Sequence, residues 1–456
     1  MKRFWPFGWF RSKDETPKKL KIEKKPLSRN GLLSYECLRA ILEFMDGNQR
    51  LDAFQRIPNI RVSEKLLPLS LDFLSFGANE MIINNIKHEF GIIRGFHPGH
   101  EIPQQIRRYN EKGGTPYDMD EFGLEERIEP GTHIGIYEED EEVLLTREER
   151  IEDLPWLKEQ REVTAEVFKR FPTDQYRDEL NGYDNAIFSV TLLIENRPGP
   201  FDSFLQYTKS LTDDTKLAVM RRKYQPSSKS MFPTFKKLVY DLLDGRKEPI
   251  KVKKLGVSDI NIDIPFPPNV KFKIKELSIS ESVEIVLNKL LPFIDESSFP
   301  LDLLEIGWSD SPGNNLGHPV IQSAKFLVLK GEGGLDVGDF DAQFADIPKN
   351  VHVVDEVCVR TPGSFPYNRL VRFWLQHPPE IGKRLSAGFS NESCFTWEMN
   401  SIRSNFNVTG ERSFTIPMTD EAQIRVDSKL MDPENSNSYE QSHMMIFEVV
   451  PVERNV

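Results

Sequence analysis

The sequence predicts an α+β protein: a short three-helix unit, then a small, mainly β unit, then a long α/β region. Three observations carry this prediction. Leu38, Ile41, Leu42 and Met45 fall at i, i+3, i+4 and i+7, which is one face of an α-helix. From Pro68 the period drops to two, with Leu69, Leu71 and Phe73 alternating with Ser70 and Asp72. From Leu255 onward, short strand signals return at Leu277, Leu304, Leu327 and Val351, 22 to 27 residues apart.

The chain of 456 residues has room for about three domains at roughly 150 residues each. Residues 1–30 form a basic, disordered tail, with nine Lys and Arg against three acids in the first 25. A solvated tail is one reading of it. A membrane-surface anchor or sorting signal using Trp5, Phe7, Trp9 and Phe10 is the other. Residues 31–67 are the helical unit, with Ser34 as N-cap and Gly47 as a C-terminal stop. A second short helix carries Leu51 and Phe54, Pro58 breaks it, and a third runs from Ile60 towards Leu66. A helix as short as the first cannot bury its stripe alone. Two covers are open: residues 50–76 of the same chain, or another protein.

Residues 68–137 are the mainly β unit, continuing through MIINNIKHEFGIIRG and ending on THIGIYE. Residues 138–155 form an acidic linker, with nine acids and two arginines between 138 and 153. The region 156–390 opens with a helix from Trp156 to Phe171, followed by a strand at AIFSVTLLIE (186–195). SKSMFPTFKKLVYDLLDG is an amphipathic helix stopped by Gly245. Beyond it, the stretches SVEIVLNKLLPFID, HPVIQSA and YNRLVRFWLQ place helices between the recurring strands. One strand and one helix every 20 to 29 residues is the pattern of leucine-rich repeats. With no asparagine ladder, the region reads as an irregular leucine-rich-repeat-like α/β curve, and an ordinary α/β domain would also accommodate the spacing. Residues 391–456 form a β-rich extension.

Function classes narrow by exclusion. A net charge of −12 argues against nucleic acid as the main partner. No apolar run is long enough for a transmembrane span. Cys37, Cys358 and Cys394 are odd in number and far apart, which argues for a reducing compartment, cytoplasmic or nuclear. The sequons at Asn391 and Asn407 are then silent. No metal site is expected: His97-Pro-Gly-His100 is a turn, and His88-Glu89 lacks the second histidine of a zinc-protease helix. No serine elbow occurs. Lys330-Gly-Glu-Gly-Gly334 has Asp336 where a dinucleotide fingerprint needs glycine, and Asp336, Asp339, Asp341 and Asp346 lack the order of a calcium loop. No catalytic residue and no cofactor is assigned, so the expectation is a protein that is not an enzyme.

The segment Leu33-Ser-Tyr-Glu-Cys-Leu-Arg-Ala-Ile-Leu-Glu-Phe-Met-Asp resembles the start of an F-box. More specifically, the chain resembles the nematode F-box C proteins over about residues 30–390. RIPNIRVSEKLLPLSL (56–71), GGTPYDMDEFGL (113–124), LVYDLLDGRKEPIKVKKLGV (238–257), FIDESSFPLDLLEI (293–306), GHPVIQSAKFLVL (317–329) and LVRFWLQHPPEIGKRL (370–385) carry the resemblance in co-linear order. It implies a substrate-receptor subunit of an SCF-type cullin–RING ubiquitin ligase. The ligase adaptor would dock on Leu33, Leu38, Ile41, Leu42 and Met45, with Leu51 and Phe54 nearby. A protein client would bind the C-terminal region. A non-ubiquitin interaction scaffold is the alternative.

Overall fold

The computed structural model describes residues 35–125, 146–224, 231–258, 266–280, 283–308, 317–331, 350–355, 367–389, 392–430 and 443–452. The predicted Leu33, Ser34, basic tail, THIGIYE strand, Asn391, Cys358 and the 332–346 glycine-aspartate stretch lie outside them. The fold is mixed α/β, in two compact units. The first comprises residues 1–251 and 261–270; the second comprises 252–260 and 271–456.

The first unit begins with helices α1 (Tyr35–Phe44), α2 (Gly47–Arg56) and α3 (Arg61–Lys65). Gly47 does not stop α1; it opens α2, where Asp46 is the N-cap and its side chain accepts from Gln49 N at 3.0 Å. A Cβ at Gly47 would lie 2.6 Å from Leu71 Cδ2 and 3.0 Å from the Ser70 carbonyl, so glycine lets α2 start close against Ser70 and Leu71. An antiparallel meander follows, made of β1 (Ser70–Phe76), β2 (Glu80–Ile83), β3 (Ile86–Phe96), β4 (Phe201–Leu211) and β5 (Lys216–Lys223). Strand β1 buries Leu71, Leu74 and Phe76, and the aromatic core continues through Phe90, Tyr207 and Phe235. Beyond the end of β2, Thr115 pairs with Ile92 in both directions at 2.9 Å. That approach needs Gly91 and Gly114, because a Cβ at either would lie within 2.7 Å of the facing backbone.

Between β3 and β4 lie α4 (Gln104–Lys112), α5 (Arg147–Glu152), α6 (Leu154–Arg170) and α7 (Asp174–Ile194). The predicted strand at 186–195 is instead the second half of α7. Thr173 caps the helix, and Leu192 and Leu193 pack with Phe122 and Phe201. That packing overrides the β preference of the aromatic and β-branched residues in the segment. Helix α8 (Met231–Leu243) closes the unit, with Phe235, Leu238, Val239 and Leu242 buried and Gly245 at φ +75° behind it. Tyr224 donates its hydroxyl to Asp118, whose carboxylate also accepts from Met231 N.

In the second unit, β6 (Ile250–Val257) is followed by β7 (Phe272–Ile279), β8 (Leu303–Trp308), β9 (Leu327–Gly331), β10 (Asn350–Asp355) and β11 (Arg384–Phe389). Strands β7 to β11 run parallel. The recurring leucines fall in register: Leu277 opposite Leu304, Leu304 opposite Leu327, Leu327 opposite Val351, and Val351 opposite Leu385. All five are buried, and each buried leucine stabilises by about 1.5–3 kcal/mol. Helices α9 (Val283–Leu290), α10 (Pro319–Ser323) and α11 (Tyr367–Gln376) connect successive strands, as parallel pairing demands. After α12 (Glu392–Phe406), strands β12 (Ser413–Pro417), β13 (Ala422–Leu430) and β14 (His443–Pro451) return antiparallel, with Phe447 of β14 opposite Leu385. Among the described residues, no helix is long and apolar enough to cross a membrane.

Candidate functional site

Helix α1 carries two apolar stripes. Leu38, Leu42 and Met45 turn inward and pack with Ala53, Ile60 and Leu67. Cys37, Ile41 and Phe44 recur at i, i+4 and i+7 on an adjacent face and are exposed. Ile41 is 46% accessible and Phe44 93%. Helix α3 likewise presents Val62 (75% accessible) and Leu66, one turn apart, and Ile57 is exposed between α2 and α3.

The predicted face therefore divides. Leu42, Leu51 and Phe54 are buried, Leu38 and Met45 are half-buried against Leu42, and Ile41 is the one exposed member among the described residues of that face. Phe54 lies under two cations, Arg61 at 5.4 Å and Lys65 at 5.3 Å from its ring centre. Sequence reasoning omitted Phe44, Ile57, Val62 and Leu66. The signal was there for two pairs: Phe44 is i+3 from Ile41, and Val62 and Leu66 are i and i+4.

A buried charge cluster fixes the helices beneath this surface. Glu64 of α3 is inaccessible, and both its carboxylate oxygens accept from Arg246 Nη2 at 2.9 Å. Arg50 of α2 brings Nε to 3.1 Å from Oε1, an ionic contact without hydrogen-bond alignment. The remaining Arg50 nitrogens donate to the carbonyls of Pro68, Glu64 and Leu67 at 2.6–3.0 Å. One guanidinium thus ties α2 to the turn leading into β1. Burial draws the Arg246 guanidinium below its ordinary range, opposed by the Glu64 charge. The pairing is what makes burial of a carboxylate tolerable.

Behind α2 lies a small cleft lined by Asn48, Asp52, Gln55, His88 and Lys209. Asp52 and Lys209 pair across it at 2.9 Å, and His88 forms its floor. The His88 Nδ1 is 2.7 Å from the Tyr207 hydroxyl, and burial, then Lys209, lowers its pKa to about 3. The imidazole is neutral at physiological pH, so it serves as a fixed hydrogen-bonding group and not as a proton carrier. His97 and His100 sit on a turn around Gly99, at φ +89°. Among the described residues, no three His, Cys, Asp or Glu side chains converge as metal ligands.

In the second unit, Glu305 of β8 pairs with Lys254 of β6 at 2.8 Å and with Lys330 of β9. Burial alone would raise its carboxyl, but the two lysines outweigh burial and hold it below the ordinary range. Together the two ion pairs tie β6, β8 and β9 to one another.

Comparison with known proteins gives one match. A family model described as a domain of unknown function (DUF3557) covers residues 231–391, from α8 through β11. No curated protein and no solved structure matches the chain.

Proposed function

We propose that this chain is a substrate-receptor subunit of an SCF-type cullin–RING ubiquitin ligase, acting in the cytoplasm or nucleus. In this reading α1–α3 form an F-box-like module that docks the ligase adaptor. Strands β7–β11 and their helices form an irregular leucine-rich-repeat-like region for a protein client. The role asks for two binding surfaces and no reacting side chain of its own.

The observation that supports it is the second stripe of α1. A helix whose only task was internal packing would need Leu38, Leu42 and Met45 and nothing more. Ile41 and Phe44 lie outside that packing, and Val62 and Leu66 of α3 add further exposed apolar area on the same module. Exposed apolar side chains of this size are the raw material of a docking face.

A scaffold outside ubiquitin transfer is the second reading. It draws on the burial of Leu42, Leu51 and Phe54, which serve the chain's own core. Co-purification of the full chain with the ligase adaptor separates the two. The receptor reading expects a stable complex that Ile41→Asp and Phe44→Asp each weaken by about tenfold or more, while circular dichroism stays unchanged. A wild-type chain that retains no adaptor sinks the receptor reading in favour of the scaffold.

A further inference from the structure

Strand β5 is the last strand of the first unit's meander, hydrogen-bonded to β4 and to no other strand among the described residues. Its sequence, KLAVMRRK, holds four cations and no acid in a chain whose net charge is −12. The ladder shows which of its backbone groups are free. Tyr224 N donates to Ser203 O at 2.8 Å, so that pair is the hydrogen-bonded kind. Antiparallel pairing alternates. The pairs Arg222–Leu205, Met220–Tyr207 and Ala218–Lys209 are then also hydrogen-bonded to β4. Val219, Arg221 and Lys223 lie between them and aim their N–H and C=O groups away from β4.

The side chains of those three residues are exposed as well. Arg221 uses Nε on Gln206 at 2.7 Å, and Lys223 pairs with Asp202 on the surface. Val219 is 44% accessible, and the strand contains no proline. The register shift at Lys209/Ser210 leaves Leu217 unmatched, so the irregularity is confined to one end.

From this geometry we infer that the β5 edge takes an extended acidic segment of a partner protein as an added antiparallel strand. The free groups of Val219, Arg221 and Lys223 supply the backbone bonds, and strand addition needs little more than such an edge. Cross-strand neighbours set the chemistry of the incoming chain. Acids belong in its N-terminal half, opposite Arg221 and Lys223, and β-branched residues belong in its C-terminal half, opposite Val219. A second copy of this chain fits worse, because edge-to-edge pairing would set these cations against each other. Basic residues also guard edges against unwanted pairing, and an acidic strand is the one partner that guard admits. The inference uses no residue of α1–α3 and stands apart from adaptor docking.

The test is fluorescence anisotropy of the full chain with a labelled eight-residue peptide, glutamate-rich in its first half and valine-rich in its second. Saturable binding that weakens with salt is expected, at least about tenfold tighter than for the same peptide with lysines replacing glutamates. Arg221→Glu and Val219→Pro each weaken it by about tenfold. Proline at 219 removes an outward N–H and spares the bonds to β4. Where circular dichroism shows that Val219→Pro disturbs the fold, a peptide N-methylated at alternate amides replaces it and loses binding to the wild-type chain. No binding, equal binding of the acidic and basic peptides, or undiminished binding of the N-methylated peptide overturns the inference.

Discussion

One buried carboxylate in each unit, Glu64 in the first and Glu398 in the second, has opposite surroundings. In the first, Glu64 is enclosed by Arg50 and Arg246, His88 rests on Tyr207, and Asp118 accepts from Tyr224 and Met231 N. In the second, Glu398 of α12 is 0% accessible and neither of its carboxylate oxygens has a hydrogen-bond partner among the described residues. Burial pushes that carboxyl up to about 7. The difference follows from construction. The first unit docks short helices onto a meander, and short helices with little apolar area need directional ties. The second stacks Leu277, Leu304, Leu327, Val351 and Leu385 in register, and its stability rests on that non-directional ladder.

The most severe way to break the contrast is Glu64→Ala. It leaves two buried guanidinium groups without their anion, and loss of one partner from a buried pair costs about 3–5 kcal/mol. Hydrogen exchange read by mass spectrometry should show α1–α3 and β1 opening early, with β7–β11 protected as before. A cost under about 1 kcal/mol would mean that the carbonyls accepting from Arg50 hold the module and the Glu64 pairing does not.

How much of this was legible in the sequence depended on the distance over which each interaction acts. Period-two alternation at Leu69–Phe73 and the leucine spacing from Leu255 announced strands, and the register of Leu277, Leu304 and Leu327 follows that spacing. Local patterns also placed α2, α6 and α8. The Arg246–Glu64 bond spans 182 positions, and charged residues read one at a time look like surface. Nothing local marked Glu64 as buried. The second half of α7 was misread because its residues favour strands in isolation and only contacts with Phe122 and Phe201 decide otherwise. On α1 the helix itself was legible, but which stripe turned inward was not, since both are apolar. The structure gave that answer through Ile60 and Leu67, which pack on one stripe and leave Phe44 out.

Glu398→Gln sharpens the comparison with the next largest effect. The carboxyl binds its proton more tightly folded than unfolded, so its contribution is fully present below about 4.5 and lost as pH rises through about 7. The displacement corresponds to about 3 kcal/mol across that window. Glutamine stays neutral, so the variant should keep the second unit's protection constant between those pH values while the wild type loses it. Equal pH profiles would show that Glu398 finds water or a counter-charge when it ionises.

His88 sets the smallest effect and has the opposite sign. Its folded pKa is depressed from 6.5 to about 3, so its contribution is present above 6.5 and is lost as pH falls. By pH 5 the loss is about 2 kcal/mol, carried by β3 and β4, where the imidazole and Tyr207 are buried together. His88→Gln keeps a polar group beside the Tyr207 hydroxyl but cannot take up a proton. Its exchange protection in β3 and β4 should therefore change less than the wild type's between pH 7 and pH 5. Mild acid would then weaken the first unit while it strengthens the second, and the two substitutions should each flatten one side of that divergence. If His88→Gln leaves the acid sensitivity of β3 and β4 in place, the sensitivity belongs to another group, and the Asp52–Lys209 pair across the cleft is the nearest one to test.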